Sequence, residues 1–76
     1  MLQLQLILGT FVPMDLTRVV EGFGFRLDRI SGSDPIYKRA GVRQLIDLQN
    51  VGGMAKSYQV KQFLELVEEY DLRLEE

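Results

Sequence analysis

The chain opens on an alternation of leucine with glutamine, Met1-Leu-Gln-Leu-Gln-Leu-Ile-Leu8, whose period of two fits a strand and whose length also admits a helical turn. Gly9-Thr10 interrupts it. From Phe11 a helical spacing takes over, with Leu16, Val19, Val20 and Phe23 at i, i+3, i+4 and i+7, which predicts a first helix over about residues 13–22. Pro13 suits its first turn, Asp15 its positive end, and Gly22 or Gly24 its stop. Residues 25–30 then alternate apolar with charged, as a strand with one wet face does. Ser31-Gly32-Ser33-Asp34-Pro35 makes a tight turn, 36–39 a second strand, Ala40-Gly41 another turn, and 42–49 a third strand with Ile46 and Leu48 on one side and Leu45 and Asp47 on the other. Residues 50–56 read as a glycine-containing loop. Ser57 is the expected N-cap of a last helix that runs to about Tyr70, with Val60, Phe63, Leu64 and Val67 on its apolar side.

The predicted order is helix, three antiparallel strands, helix. That is an α+β fold in which both helices cover one face of a three-stranded sheet. Phe25, Leu27, Ile36, Ile46 and Leu48 supply the covered face, and Arg26, Asp28, Tyr37, Arg39 and Asp47 the open one. Residues 1–76 form one domain, with 1–10 as an extension of undecided structure; 76 residues leave no room for a second core. A chain this small buries only about 60% of its unfolded surface, so a partner or a second copy would add stability. The leucine-rich opening is a candidate edge strand for a homodimer.

Composition narrows the chemistry. The chain has no cysteine and no histidine, which removes disulfides, thiolate nucleophiles, the usual zinc ligands and the usual general base near pH 7; no metal or cofactor is expected. The opening lacks a basic leader and is far too short to span a bilayer, so a cytoplasmic protein with no membrane partner is expected. The net charge of −2 is unevenly spread. Between Arg26 and Lys61 seven basic residues face three acidic ones, while the tail gathers six carboxylates.

The candidate chemistry gathers at the turn and at the start of the last helix. Asp34 is either a substitute base or a turn aspartate bonded to its own backbone. Arg29, Lys38, Arg39 and Arg43 can form a basic track around the hairpin. Lys56 precedes a helix N-terminus, where a phosphate could sit beside the amides of Tyr58 and Gln59.

The combination Gly24-Phe25, Arg29-Ile-Ser-Gly-Ser33 with Ile36-Tyr37, Ile46-Asp-Leu-Gln49 and Ala55-Lys-Ser-Tyr-Gln-Val-Lys-Gln62 resembles the HicA (YcfA-like) toxin family over about residues 11–74. The resemblance implies a double-stranded-RNA-binding-like fold and an mRNA interferase, an endoribonuclease of a toxin–antitoxin system, held in check by a HicB-like antitoxin. It also implies a catalytic corner at Gly32, Ser33, Asp34 and Pro35, and RNA contacts from Arg29, Lys38, Arg39, Lys56, Tyr58 and Gln59. The chain departs from the family where the chemistry lies. The family's turn histidine corresponds to Pro35, which has no ionisable group, and an exposed aspartate beside it is too acidic to be a good base at neutral pH. Cleavage is therefore expected to be weak or absent, and the alternative is a non-catalytic module that binds RNA or protein on the same fold.

Overall fold

A computed structural model describes residues 11–75, so the leucine-glutamine opening and its proposed edge strand lie outside the described residues. The protein is α+β, with antiparallel three-stranded sheets and two helices. The elements run β1 (Phe11–Pro13), α1 (Leu16–Gly22), β2 (Arg26–Ser31), β3 (Asp34–Lys38), β4 (Ile46–Asp47), β5 (Asn50–Val51), β6 (Met54–Lys56) and α2 (Ser57–Tyr70). The predicted helix, three strands and helix keep their order as α1, β2–β4 and α2. To them is added a second sheet, β1-β6-β5, that the sequence pattern did not reveal.

That second sheet corrects two expectations. Residues 11–13 are extended, because β1 pairs with β6 in the register Phe11↔Lys56, Val12↔Ala55 and Pro13↔Met54. Pro13 therefore ends an outer strand, a place where a missing N–H is tolerated, and does not begin a helix. The expected loop at 50–56 is a hairpin. Gly52 and Gly53 both take positive φ, 56° and 75°, which the two central residues of a type I′ turn require.

Helix α1 starts at Leu16 because Asp15 caps it, its carboxylate accepting from the Arg18 N–H at 3.3 Å. Leu16 and Val20 are fully buried, and Val19 and Phe23 pack beside them as their spacing predicts. Helix α2 starts at Ser57 as its first helical residue. Lys56 occupies the cap position without a side-chain cap bond, so Ser57 is not the N-cap. At the far end Asp71 adopts a left-handed conformation, φ 51°, and the Leu72 N–H returns to the Val67 carbonyl at 2.9 Å. This is a Schellman ending, and it folds Leu72 into the core.

The core joins Leu16, Val20, Phe25, Tyr37, Ile46, Leu48, Ala55, Phe63, Leu66 and Leu72. Phe63 of α2 meets Phe23 and Phe25 edge-on, with ring centroids 5.6 and 5.7 Å away, and so fixes α2 against the α1–β2 corner. Leu64, one residue off this stripe, is half exposed, and Leu66 takes the place assigned to it.

Sheet β2-β3-β4 contains a bulge that changes which residues share a face. The pairs run Arg26↔Lys38 and Leu27↔Tyr37, then jump to Arg29↔Ile36, leaving Asp28 as the extra residue. Cross-strand partners share a face, so Tyr37, paired with Ile46, lies on the core side, and Ile36, paired with Asp47, lies on the charged side. Tyr37 and Ile36 thus exchange the faces expected of them, and both are buried. The Tyr37 hydroxyl has its pKa pushed up by burial and by the nearby Glu21 carboxylate of α1. Leu27, on the outer strand β2, is half exposed and adds little to the core.

Candidate functional site

The β2–β3 hairpin turns through Gly32-Ser33, closed by the pair Ser31↔Asp34. Gly32 has φ 65° and Ser33 a negative φ, the arrangement of a type II′ turn with glycine at its first central position. Ser31, Gly32 and Ser33 are exposed, and a Cβ added at Gly32 would meet nothing within 4 Å. The corner therefore presents its polar atoms to solvent, as the sequence predicts.

Pro35 fits here for a backbone reason. The turn-closing pair takes the hydrogen bonds to β2, so by the antiparallel alternation the next residue directs its main chain away from β2 and toward β4. A proline there removes no bond to β2, and its carbonyl accepts from the Leu48 N–H at 3.0 Å. It contributes shape to the corner and no proton chemistry.

The residue that the sequence reading left out is Asp47. Ile36↔Asp47 pairing makes Asp34 the diagonal neighbour of Asp47 on one sheet face, close enough for the two carboxyl groups to interact. The Asp47 pKa is raised, first by desolvation against the strand and then by the charge of Asp34 and the bond to it. Asp34 thus acts across the sheet on Asp47. With its pKa raised, Asp47 is the carboxyl at this corner that holds its proton most readily.

The expected cations are largely engaged within the fold. Asp28, the bulge residue, pairs with Lys38 at 3.1 Å and with Arg29, and these two hydrogen bonds, Lys38 first, hold its carboxyl below the usual aspartate range. Arg39 donates through Nε to the Phe23 carbonyl at 2.8 Å and through Nη1 to that of Ala40 at 3.2 Å, tying β3 to the α1–β2 corner. Arg43 is exposed and has no partner among the described residues. Of the predicted basic track, Arg29 and Lys38 thus share Asp28, Arg39 is tied to main-chain carbonyls and Arg43 stands uncommitted.

At the start of α2, the Lys56 ammonium lies 5.6 Å from the Phe11 ring centroid and 5.7 Å from that of Tyr58, a cation held between two aromatic faces. Tyr58 donates its hydroxyl proton to the Gln49 side-chain carbonyl at 3.3 Å. Gln59 turns inward. Its amide donates to the Asp47 carbonyl while its oxygen accepts from the Gln49 N–H at 3.0 Å, so it copies a peptide unit along the outer edge of β4. The two predicted groups, the corner at 32–35 and the helix start at 56–59, therefore meet at Asp47, whose backbone is held by one and whose carboxyl touches the other. The signal available in the sequence was the Asp47-Leu-Gln49 run itself.

Two depressions flank this junction. A cleft of about 270 Å³ lies beside the corner, bordered by Thr17, Ser33, Asp34, Pro35 and Asn50. A groove of about 540 Å³ runs between β4 and α2, with Ile46, Phe63 and Leu66 as its floor and Asp47, Glu65 and Glu69 on its rim. Among the described residues no three carboxylates gather as metal ligands would, and no helix is long and apolar enough to cross a membrane. No protein-family model matches this chain, and neither a curated protein nor a solved structure shows significant similarity to it.

Proposed function

We propose that the chain is a HicA-like RNA-binding domain, the toxin-type partner of a HicB-like antitoxin, in which RNA cleavage has become weak or has been lost. The α1, β2–β4, α2 order, read as the double-stranded-RNA-binding-like arrangement, belongs to the same proposal. The observation that carries it is the exposed Gly32-Ser33 corner joined through Asp47 to Gln59, with Tyr58 bonded to the neighbouring Gln49, which brings the two sequence motifs together in space.

Strand cleavage through the RNA 2′-hydroxyl needs one group to take that proton and another to protonate the leaving 5′-oxygen. At this corner Pro35 offers neither, and the Asp34–Asp47 pair offers at most a weak donor. Loss of such help lowers rates by about 10² to 10⁴. The test changes Asp34-Pro35 to His-His and assays both versions on a bare transcript. Cleavage that rises at least 10²-fold over a near-background parent supports the reading; equal cleavage by the two overturns it.

A second reading, a non-catalytic module for a protein partner, is favoured by the capture of Arg29 and Lys38 by Asp28 and by the acidic rim of the β4–α2 groove. Under it, RNA binding is absent even at low salt, and a cationic peptide protects Leu45 and Glu69 from solvent exchange and labelling.

A further inference from the structure

We infer that Arg26, Arg39 and Gly24 form a phosphate-binding cradle that the Glu75 carboxylate occupies in the resting chain. Both guanidinium groups are set by the main chain without help from Glu75. Arg26 donates through Nη1 to the carbonyls of Glu21 at 3.0 Å and Phe25 at 2.8 Å, and Arg39 is held on Phe23 and Ala40. Each keeps an Nη2 group outside those carbonyl bonds, and that of Arg26 reaches Glu75 Oε1 at 3.2 Å.

Gly24 lies between them. A Cβ there would fall 2.5 Å from Glu75 Oε2 and 2.9 Å from Arg39 Nε, so the carboxylate fills the space that a side chain would take. Among the described residues Arg26 alone ion-pairs with Glu75; the Arg39 guanidinium borders the same glycine without reaching the carboxylate, which leaves a second planar fork for a larger, tetrahedral phosphate. Glu75 is brought there by its own chain. Leu72 is buried, Leu74 packs on Gly22, and the Glu75 N–H donates to the Gly22 carbonyl at 2.7 Å. An ion pair between two half-exposed side chains is weak, so the carboxylate is a displaceable occupant that acts by local concentration.

The cradle stands apart from the hairpin corner and does not depend on the RNA reading. A phosphate group from a nucleic-acid backbone or from a free phosphoryl compound has the same chemistry, and the experiment separates them. Inorganic phosphate is titrated into the full chain while the amide resonances of Gly24 and Phe25 are followed, in the parent, in Glu75→Gln, and in Glu75→Gln combined with Arg26→Lys, which keeps the charge but removes the fork. Glu75→Gln is expected to saturate at about two- to fivefold lower phosphate than the parent, and Arg26→Lys to abolish that gain. Equal saturation in the parent and Glu75→Gln, or no movement of these resonances in either, overturns the inference. A single-stranded RNA that shifts the same resonances in competition with phosphate identifies the nucleic-acid source. Phosphate binding without any RNA shift keeps the cradle and counts against the proposed function alone.

Discussion

The side-chain amide of Gln59 is bonded on one side to the carbonyl of Asp47 and on the other to the N–H of Gln49, so the first turn of α2 is stitched along the free edge of β4. A helix is thereby docked on a two-residue strand by hydrogen bonds that the strand's neighbours cannot supply. Gln59→Ala should lower stability by about 1 to 2 kcal/mol in a urea melt, since two bonds go and an edge is uncapped. Gln59→Glu should be worse than alanine above pH 6, because a carboxylate would then face the Asp47 carbonyl.

Asp28 and Asp47 should pull stability in opposite directions with pH. Asp28 titrates below its ordinary value of 3.8, so its contribution is present above that value and is lost as pH falls through its lower folded pKa. Asp47 titrates above 3.8, so the folded state holds its proton more tightly, and stability falls as pH rises through its folded pKa. Asp47→Asn should remove the second trend and leave the first; Asp28→Asn should do the reverse. Urea midpoints taken from pH 3 to 7 would show both.

The end of α2 should be improvable. Asp71 holds φ 51°, a conformation that disfavours side chains with a Cβ by about 1 kcal/mol, while the Schellman bonds around it are already made. Asp71→Gly is expected to raise stability by about that amount, and a lower denaturation midpoint would show that the aspartate side chain is itself needed.

Truncating Phe25 should be severe. It is fully buried and meets Phe63 edge-on, and removing such a ring costs about 3 to 5 kcal/mol, a large part of what a domain of this length holds in reserve. Phe25→Ala should be largely unfolded by circular dichroism at 37 °C, and Phe25→Leu folded but less stable.

The sequence carries some of these relationships more plainly than others. The stripe Leu16, Val19, Val20 and Phe23 is a direct record of which side of α1 meets the core, and the Gly32-Ser33 turn announces its own exposure. The β5–β6 hairpin had its cue in Gly52-Gly53, but strands of two and three residues show too little alternation to be told from a loop. Residues 11–13 run on into the helical period, and nothing local marks them as a strand because their partners at 54–56 lie more than forty positions away. The bulge at Asp28 has no local mark at all, and neither has the β3–β4 register, which sets the faces of Ile36 and Tyr37 and makes Asp34 a neighbour of Asp47. Cross-strand neighbours depend on register, and register is a long-range property that no single stretch of sequence displays.

Asp28 is a supernumerary in the ladder: Leu27 and Arg29 already face consecutive residues of β3, so a chain shortened by that one residue keeps every other partner it has now. What it would lose is the anion on which Arg29 and Lys38 converge. A one-codon deletion would then turn a patch of net charge +1 into a pair of uncommitted cations, with the hairpin otherwise unchanged, so the appetite of this surface for a polyanion is tuned by a residue outside the ladder.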